Sequence, residues 1–282
     1  MAFLSGLTGA LLSSMRFTIK RKPVSAFAAV NLFITPILLL TVLSYPRELP
    51  AAEEPSHETE REPAGALVNE LFVGENIYVQ DKGEWVLSLT PSYAKASDAK
   101  EIEIEPEIKY GLTDRIQLSA ELPYTIVNPD EGSQHQGVGD LTLAANYNFV
   151  QSEMYSLGVR AEFTLPTGDE DRDLGGGQFA VTPWLLSAFR VGPGEVLAGI
   201  GEQIGEDDDA FLYDIAGAVP FKSFVGILEL TGSHGGGEDA VYLTPGAYYR
   251  PSEKFQVGLG VPIGLTDDAD DFAIVGKLIL EF

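Results

Sequence analysis

The chain has 282 residues, of which 45% are hydrophobic, 10% aromatic and 21% charged, with 30 glycines; this excludes a disordered chain and favours strands and turns over helices. Its net charge of −24 excludes nucleic acid as a partner, because phosphate recognition needs lysine and arginine. There is no cysteine, which excludes disulfides and thiol chemistry.

Arg16, Lys20, Arg21 and Lys22 form a basic region ahead of the charge-free apolar run Val24–Leu43, the order of a secretory signal. Met15 is a candidate start. Val42-Leu43-Ser44 suits cleavage before Tyr45, and Ala51-Ala52 offers a second site. The alternative is an uncleaved anchor of twenty apolar residues, opposed by Asn31 and Pro36. The first 50 residues hold five of the 18 basic and one of the 42 acidic residues, so their removal moves the net charge from −24 to about −28. Residues 1–52 therefore read as a signal peptide and targeting region, and 53–84 as a short periplasmic linker, partly ordered. The stretch up to Gly65 is rich in Pro, Glu and Ala. Leu67–Val79 fits either a short helix or an extra strand.

From Trp85 onward the pattern has a period of two. In Glu101–Tyr110, Ile102, Ile104, Ile108 and Tyr110 fall on one face, and Glu101, Glu103, Glu105, Glu107 and Lys109 on the other. The alternation continues through Ile116–Tyr124, Leu141–Phe149 and Tyr155–Phe163, and in weaker copies over 178–190, 195–205, 210–221, 223–232, 240–250, 255–264 and 271–282. With a first strand at 85–94 there are twelve, about 16 residues per strand and connection. Connections alternate as well. Short ones, such as Leu112-Thr113-Asp114 and Lys222-Ser223, take turns with longer acidic ones, such as Val127–Gln136 and Thr167–Gly177. That is the pattern of periplasmic turns and extracellular loops, so an all-β, transmembrane antiparallel β-barrel of about 12 strands is expected over 85–282.

Aromatic placement turns the apolar face outward. Trp85, Tyr110, Phe149, Tyr155, Phe189, Phe221, Phe224, Tyr249, Phe255 and Phe282 lie at the short-turn end, and Tyr93, Tyr124, Phe163, Phe179, Phe211 and Phe272 at the loop end. Two such belts bracket an apolar band of about 25 Å. Phe272, Ile274, Gly276, Leu278, Leu280 and Phe282 alternate up to a terminal aromatic, an ending that resembles the signal read by the bacterial barrel-assembly machinery. The expected location is the outer membrane of a Gram-negative envelope, among lipid and lipopolysaccharide.

Three stretches carry a family resemblance: Tyr110-Gly111-Leu112-Thr113-Asp114-Arg115 running on through Ile116 to Leu122-Pro123-Tyr124; Gly137-Val138-Gly139-Asp140-Leu141-Thr142-Leu143; and Phe163-Thr164-Leu165-Pro166-Thr167-Gly168-Asp169. In this order they resemble the outer-membrane proteins of the meta-pathway of phenol degradation, a transporter-like group. The resemblance covers 85–282 and implies a barrel that passes small, apolar or aromatic solutes. Read from the residues alone, each stretch is a turn, bend or strand end and needs no chemistry.

The inward face is expected to carry Glu101, Glu103, Glu105, Glu107, Lys109, Arg115, Glu121, Arg160 and Glu162. These either line a water-filled pore and set its ion preference or form an ionic network that fills a narrow bore. Acidic clusters at Asp169-Glu170-Asp171, Asp207-Asp208-Asp209 and Asp267-Asp268 with Asp270-Asp271 suit hard cations but lack an EF-hand spacing, and read as solvated loop surface. The three histidines, His57, His135 and His234, lie in linker or loops, and no Gly-x-Ser-x-Gly elbow accompanies them, so catalysis is not expected. No cofactor or metal site is expected. A passive channel or transporter is the favoured reading, with a non-transporting structural or adhesive barrel, and more remotely an outer-membrane lipase, as alternatives.

Overall fold

A computed structural model describes residues 66–95, 99–130, 132–205, 209–235, 238–252 and 254–282. The expected signal and the linker as far as residue 65 lie outside the described residues, as does part of the Asp207-Asp208-Asp209 loop.

Twelve antiparallel strands close on themselves. They are β1 (Trp85–Lys95), β2 (Ala99–Thr113), β3 (Ile116–Glu121 resuming as Tyr124–Pro129), β4 (His135–Val138 resuming as Leu141–Gln151), β5 (Tyr155–Leu165) and β6 (Ala180–Val191). Then come β7 (Gly194–Gln203), β8 (Ala210–Phe221), β9 (Phe224–Gly235), β10 (Glu238–Ser252), β11 (Phe255–Gly260 resuming as Ile263–Gly264) and β12 (Phe272–Glu281). The breaks in β3 and β11 coincide with Leu122-Pro123 and Val261-Pro262, since proline supplies no ladder N–H. β12 pairs with β1 in the register Val86 to Glu281 and Lys95 to Phe272. Trp85 and Phe282 exchange backbone hydrogen bonds of 3.0 and 2.9 Å, closing the seam. A closed barrel leaves no sheet edge, which is what permits strands to cross lipid.

The outer surface is apolar throughout: Ile102, Ile104, Leu118, Leu143, Val159, Leu185, Ile200, Leu228 and Leu259 are all exposed. Its aromatic residues pair across neighbouring strands near the ends, Trp85 with Tyr110, Tyr155 with Phe189 and Phe224 with Tyr249. Each pair sits at directly opposed register positions, where ring contacts add most to a sheet.

The inner wall has two chemistries. Acids, amides and cations occupy β2–β5. Trp184, Leu186, Ala188, Leu197, Leu212, Ala216, Ala218, Val225 and Ile227 make an apolar arc on β6–β9. An apolar wall facing a water-filled bore would be costly. Residues 66–84 cover it. Neither the short helix nor the extra strand forms. The segment has no regular structure and threads the lumen, with Val68, Leu71, Phe72, Val73 and Ile77 buried against the apolar arc.

Candidate functional site: the lumen and the segment inside it

The segment enters and leaves at the short-turn end of the barrel. Near its start, Arg250 donates to the Leu67 carbonyl at 2.7 Å, and Asn69 bonds Glu281. Near its end, the Gln80 N–H donates to Gln117 at 3.1 Å, the Lys82 N–H to Asp114 at 3.2 Å, and the Gly83 N–H to the Gly111 carbonyl at 2.8 Å. Gly111 is glycine because a Cβ there would lie 2.0 Å from the Asp81 carbonyl oxygen. The tight turn read into Tyr110-Gly111 is thus also the place where the segment packs against the rim as it leaves the lumen.

Between these ends the segment rises to an apex held by carboxylates of the wall. Glu229, half way along β9, accepts N–H bonds from Phe72 at 2.6 Å, Val73 at 2.9 Å and Gly74 at 3.3 Å. Asp214 on β8 accepts the Glu75 N–H at 3.3 Å. Three consecutive amides on one carboxylate are charge-assisted bonds and make a specific anchor. Phe72 stacks on Tyr248 of β10 with ring centroids 4.7 Å apart and planes within 9°.

Two of the segment's acids meet cations of the wall. Glu70 bridges Lys109 on β2 at 2.8 Å and Lys277 on β12 at 3.0 Å, while Lys109 also holds Glu107 at 3.1 Å. Burial acts to raise the Glu70 carboxyl, but the two ammonium groups outweigh it and hold it near 2. Glu75 lies 3.0 Å from Arg160 on β5, whose guanidinium also binds Glu162 at 2.7 Å and Asn146 at 2.9 Å. One cation shared by two buried carboxylates does not hold both ionised. Burial pushes Glu75 up to about 8 despite Arg160, with repulsion from Glu162 and Glu107 adding to the rise. Tyr78 donates to Glu195 at 2.7 Å, and burial, then that neighbouring carboxylate, raises its hydroxyl.

Eight of the nine residues picked from the alternation are buried on the inner face: Glu101, Glu103, Glu105, Glu107, Lys109, Glu121, Arg160 and Glu162. Four of them, Glu107, Lys109, Arg160 and Glu162, join the network around the segment. Glu103 accepts from Thr125 at 2.8 Å, and Glu162 also accepts from Trp184 at 3.1 Å. Arg115 does not join them; it sits exposed in the turn between β2 and β3, because the strand ends at Thr113. Glu229, Asp214, Lys277 and Tyr248 lie outside that set. The charged ones carried a signal, since Asp214 and Glu229 are each the one inward acid of β8 and β9 and Lys277 the one inward cation of β12.

At the opposite rim two of the resemblance motifs meet. Asp140, buried in the break of β4, accepts the Gly168 N–H at 2.8 Å and also the Gly176 N–H. Thr167 donates to the Gly139 carbonyl at 3.1 Å and accepts the Leu141 N–H at 2.9 Å. Leu174 is buried close to Gly137 and Gly139, which have no room for a side chain. The Gly137–Leu141 and Leu165–Asp169 stretches therefore form one latch, which folds the loop after β5 onto the rim. Of the acidic loop groups that fall on described residues, none gathers into a cluster able to hold a metal ion.

A family model described as "Putative MetA-pathway of phenol degradation" matches residues 106–282. Among solved structures, the chain is similar to an outer membrane channel from Pseudomonas putida F1, with 17% identity, a TM-score of 0.61, and 74% of this chain and 99% of that one covered. KdgM porin aligns at 11% identity and a TM-score of 0.51, covering 69% of this chain and 99% of the porin. NanC porin aligns at 8% identity and a TM-score of 0.51, covering 70% and 98%. No curated protein matches the sequence. At these identities the structural likenesses establish the fold, a barrel of the outer-membrane type.

Proposed function

The chain belongs to that phenol-degradation family, and from this premise we propose that it is a passive, non-enzymatic outer-membrane channel for small molecules, held shut at rest by its own residues 66–84. The observation that carries this reading is what fills the bore. A purely structural barrel of this size fills its interior with wall side chains. Here the filling is a continuous stretch of chain that enters and leaves at one end, and its removal leaves an ionisable wall on one side. The barrels named as channels and porins that share the fold support the same reading. The row Glu101, Glu103, Glu105 and Glu107 lines the path and favours cations over anions. The apolar outer band sits in lipid and lipopolysaccharide. The closing strand ending in Phe282 is the element read by the assembly machinery, and the amino-terminal apolar run directs export.

The test is conductance in planar bilayers of the refolded chain and of a variant lacking residues 66–84, both first shown to be folded by heat-modifiable gel migration. The full chain is expected to be mostly silent with brief openings, and the deletion to give long-lived, cation-selective steps. Silence from a folded deletion variant refutes the channel and leaves a structural barrel.

A further inference from the structure

Phe72 occupies a site shaped for a ring. Its seat is a patch of β10 and β11 where Gly246 opposes Gly260 and Tyr248 opposes Gly258. A Cβ on Gly246 would come within 2.3 Å of the Phe72 ring, one on Gly260 within 2.6 Å and one on Gly258 within 2.9 Å. Three inward glycines on two adjacent strands leave a recess one aromatic ring deep. Tyr248 forms its stacking wall. Glycine in strand interiors costs stability, so a close approach to the wall is the physical use of such a cluster. The hydroxyl of Tyr248, a fully buried side chain, has no hydrogen-bond partner among the described residues. Phe72 fills the recess but cannot pair with it. A ring bearing its own hydroxyl has the complementary group.

We infer that this recess is a binding site for a monocyclic hydroxylated aromatic solute, and that Phe72 is the tethered occupant such a solute displaces. Ring and Phe72 exclude each other. Solute binding therefore favours the state in which residues 66–84 have left the wall, and the closed state weakens solute binding by the same factor. This deepens the channel reading and rests on it for the opening step only; binding itself needs no current.

The experiment titrates phenol, with cyclohexanol as a non-aromatic alcohol of similar size, into the folded full chain in detergent and follows the solute by NMR. Three proteins are compared: wild type, Phe72→Ala, and Phe72→Ala combined with Gly260→Val, whose side chain refills the recess from the wall. Because all three share the same micelle, partitioning of phenol into detergent cancels. Phe72→Ala is expected to bind phenol at least tenfold more tightly than wild type, since a tethered competitor acts at millimolar or higher effective concentration. It is also expected to bind at least tenfold more tightly than the double variant, and to prefer phenol to cyclohexanol. Equal affinity in Phe72→Ala and the double variant overturns the site. Equal affinity for the two alcohols overturns the aromatic assignment, and equal affinity in wild type and Phe72→Ala overturns displacement. Should Phe72→Ala lose heat-modifiable migration, Phe72→Leu carries the same comparisons. Phenol binding with silent bilayers retains the site and rejects the channel; conducting bilayers without phenol binding do the reverse.

Discussion

Replacing Glu70 by Gln removes a charge that joins the lumenal segment to two separate strands. Its carboxyl bridges Lys109 and Lys277 at 2.8 and 3.0 Å and is held at about 2 against an ordinary 4.5. That difference stores about 3 kcal/mol in the closed state, at 1.36 kcal/mol for each tenfold change in proton affinity. It matches the low end of the ~3–5 kcal/mol lost when one member of a buried ion pair is removed. Lys109 keeps Glu107, whereas Lys277 loses its only ion-pair partner among the described residues. The ratio of open to closed time in single-channel records should therefore rise by about a hundredfold in Glu70→Gln at neutral pH. Because the carboxyl is held down in the closed state, its contribution is full above pH 4.5 and lost as the pH falls toward about 2. The wild-type channel should accordingly approach the variant on strong acidification, while the variant stays unchanged. A folded Glu70→Gln barrel with the wild-type open fraction would show that these ion pairs do not hold the segment in place.

Glu75 gives the opposite sign in a different window. Its carboxyl is raised to about 8 in the closed state, among Arg160, Glu162, Glu107, Lys109 and Asp214, so its contribution is full below pH 4.5 and is lost as the pH rises toward 8. The open-to-closed ratio should climb by up to tenfold per pH unit between 5 and 8, and Glu75→Gln should abolish that climb; a flat wild-type profile refutes the assignment. At the other rim, Asp140→Ala leaves the Gly168 and Gly176 N–H groups without their acceptor, a loss of about 2 kcal/mol in loop closure. Trypsin cleavage after the exposed Arg172 should then speed up about 30-fold with the barrel still heat-modifiable, and an unchanged cleavage rate refutes the latch.

The clarity of each strand in the sequence follows from what its inner face meets. Glu101–Tyr110 alternates without exception because lipid lies on one side of β2 and a polar wall on the other. The alternation blurs over 223–232 because β9 as far as Leu228 is apolar on both faces: Phe224 and Leu228 face outward, and Val225 and Ile227 pack on the lumenal segment. Over 195–205 the blur has a steric cause. Gly201 lies beneath the Trp184 ring, and Gly199 beside Asp214 and Leu186, so bulk on one strand is matched by glycine on the next.

Residues 66–84 could not be assigned from their own pattern, because wall surrounds them and no face is left for a period to mark. Leu71, Phe72 and Val73 are consecutive and all buried. Their partners lie far along the chain, at Glu229, Tyr248 and Lys277. The wall, however, did carry the information. In a barrel filled only by its own side chains, an isolated inward acid such as Glu229 between Leu228 and Leu230 has no reason to exist, since a buried charge without a partner is strongly unfavourable. Asp214 and Glu229 are each the one inward acid of their strand and Lys277 the one inward cation of its own, and each is satisfied by a backbone amide or carboxylate of the segment. Unpaired charge on the inner face of an apolar strand therefore marks where a separate stretch of chain enters the bore. Inward glycines opposite one another, as at Gly246 and Gly260, mark where that stretch places its largest ring.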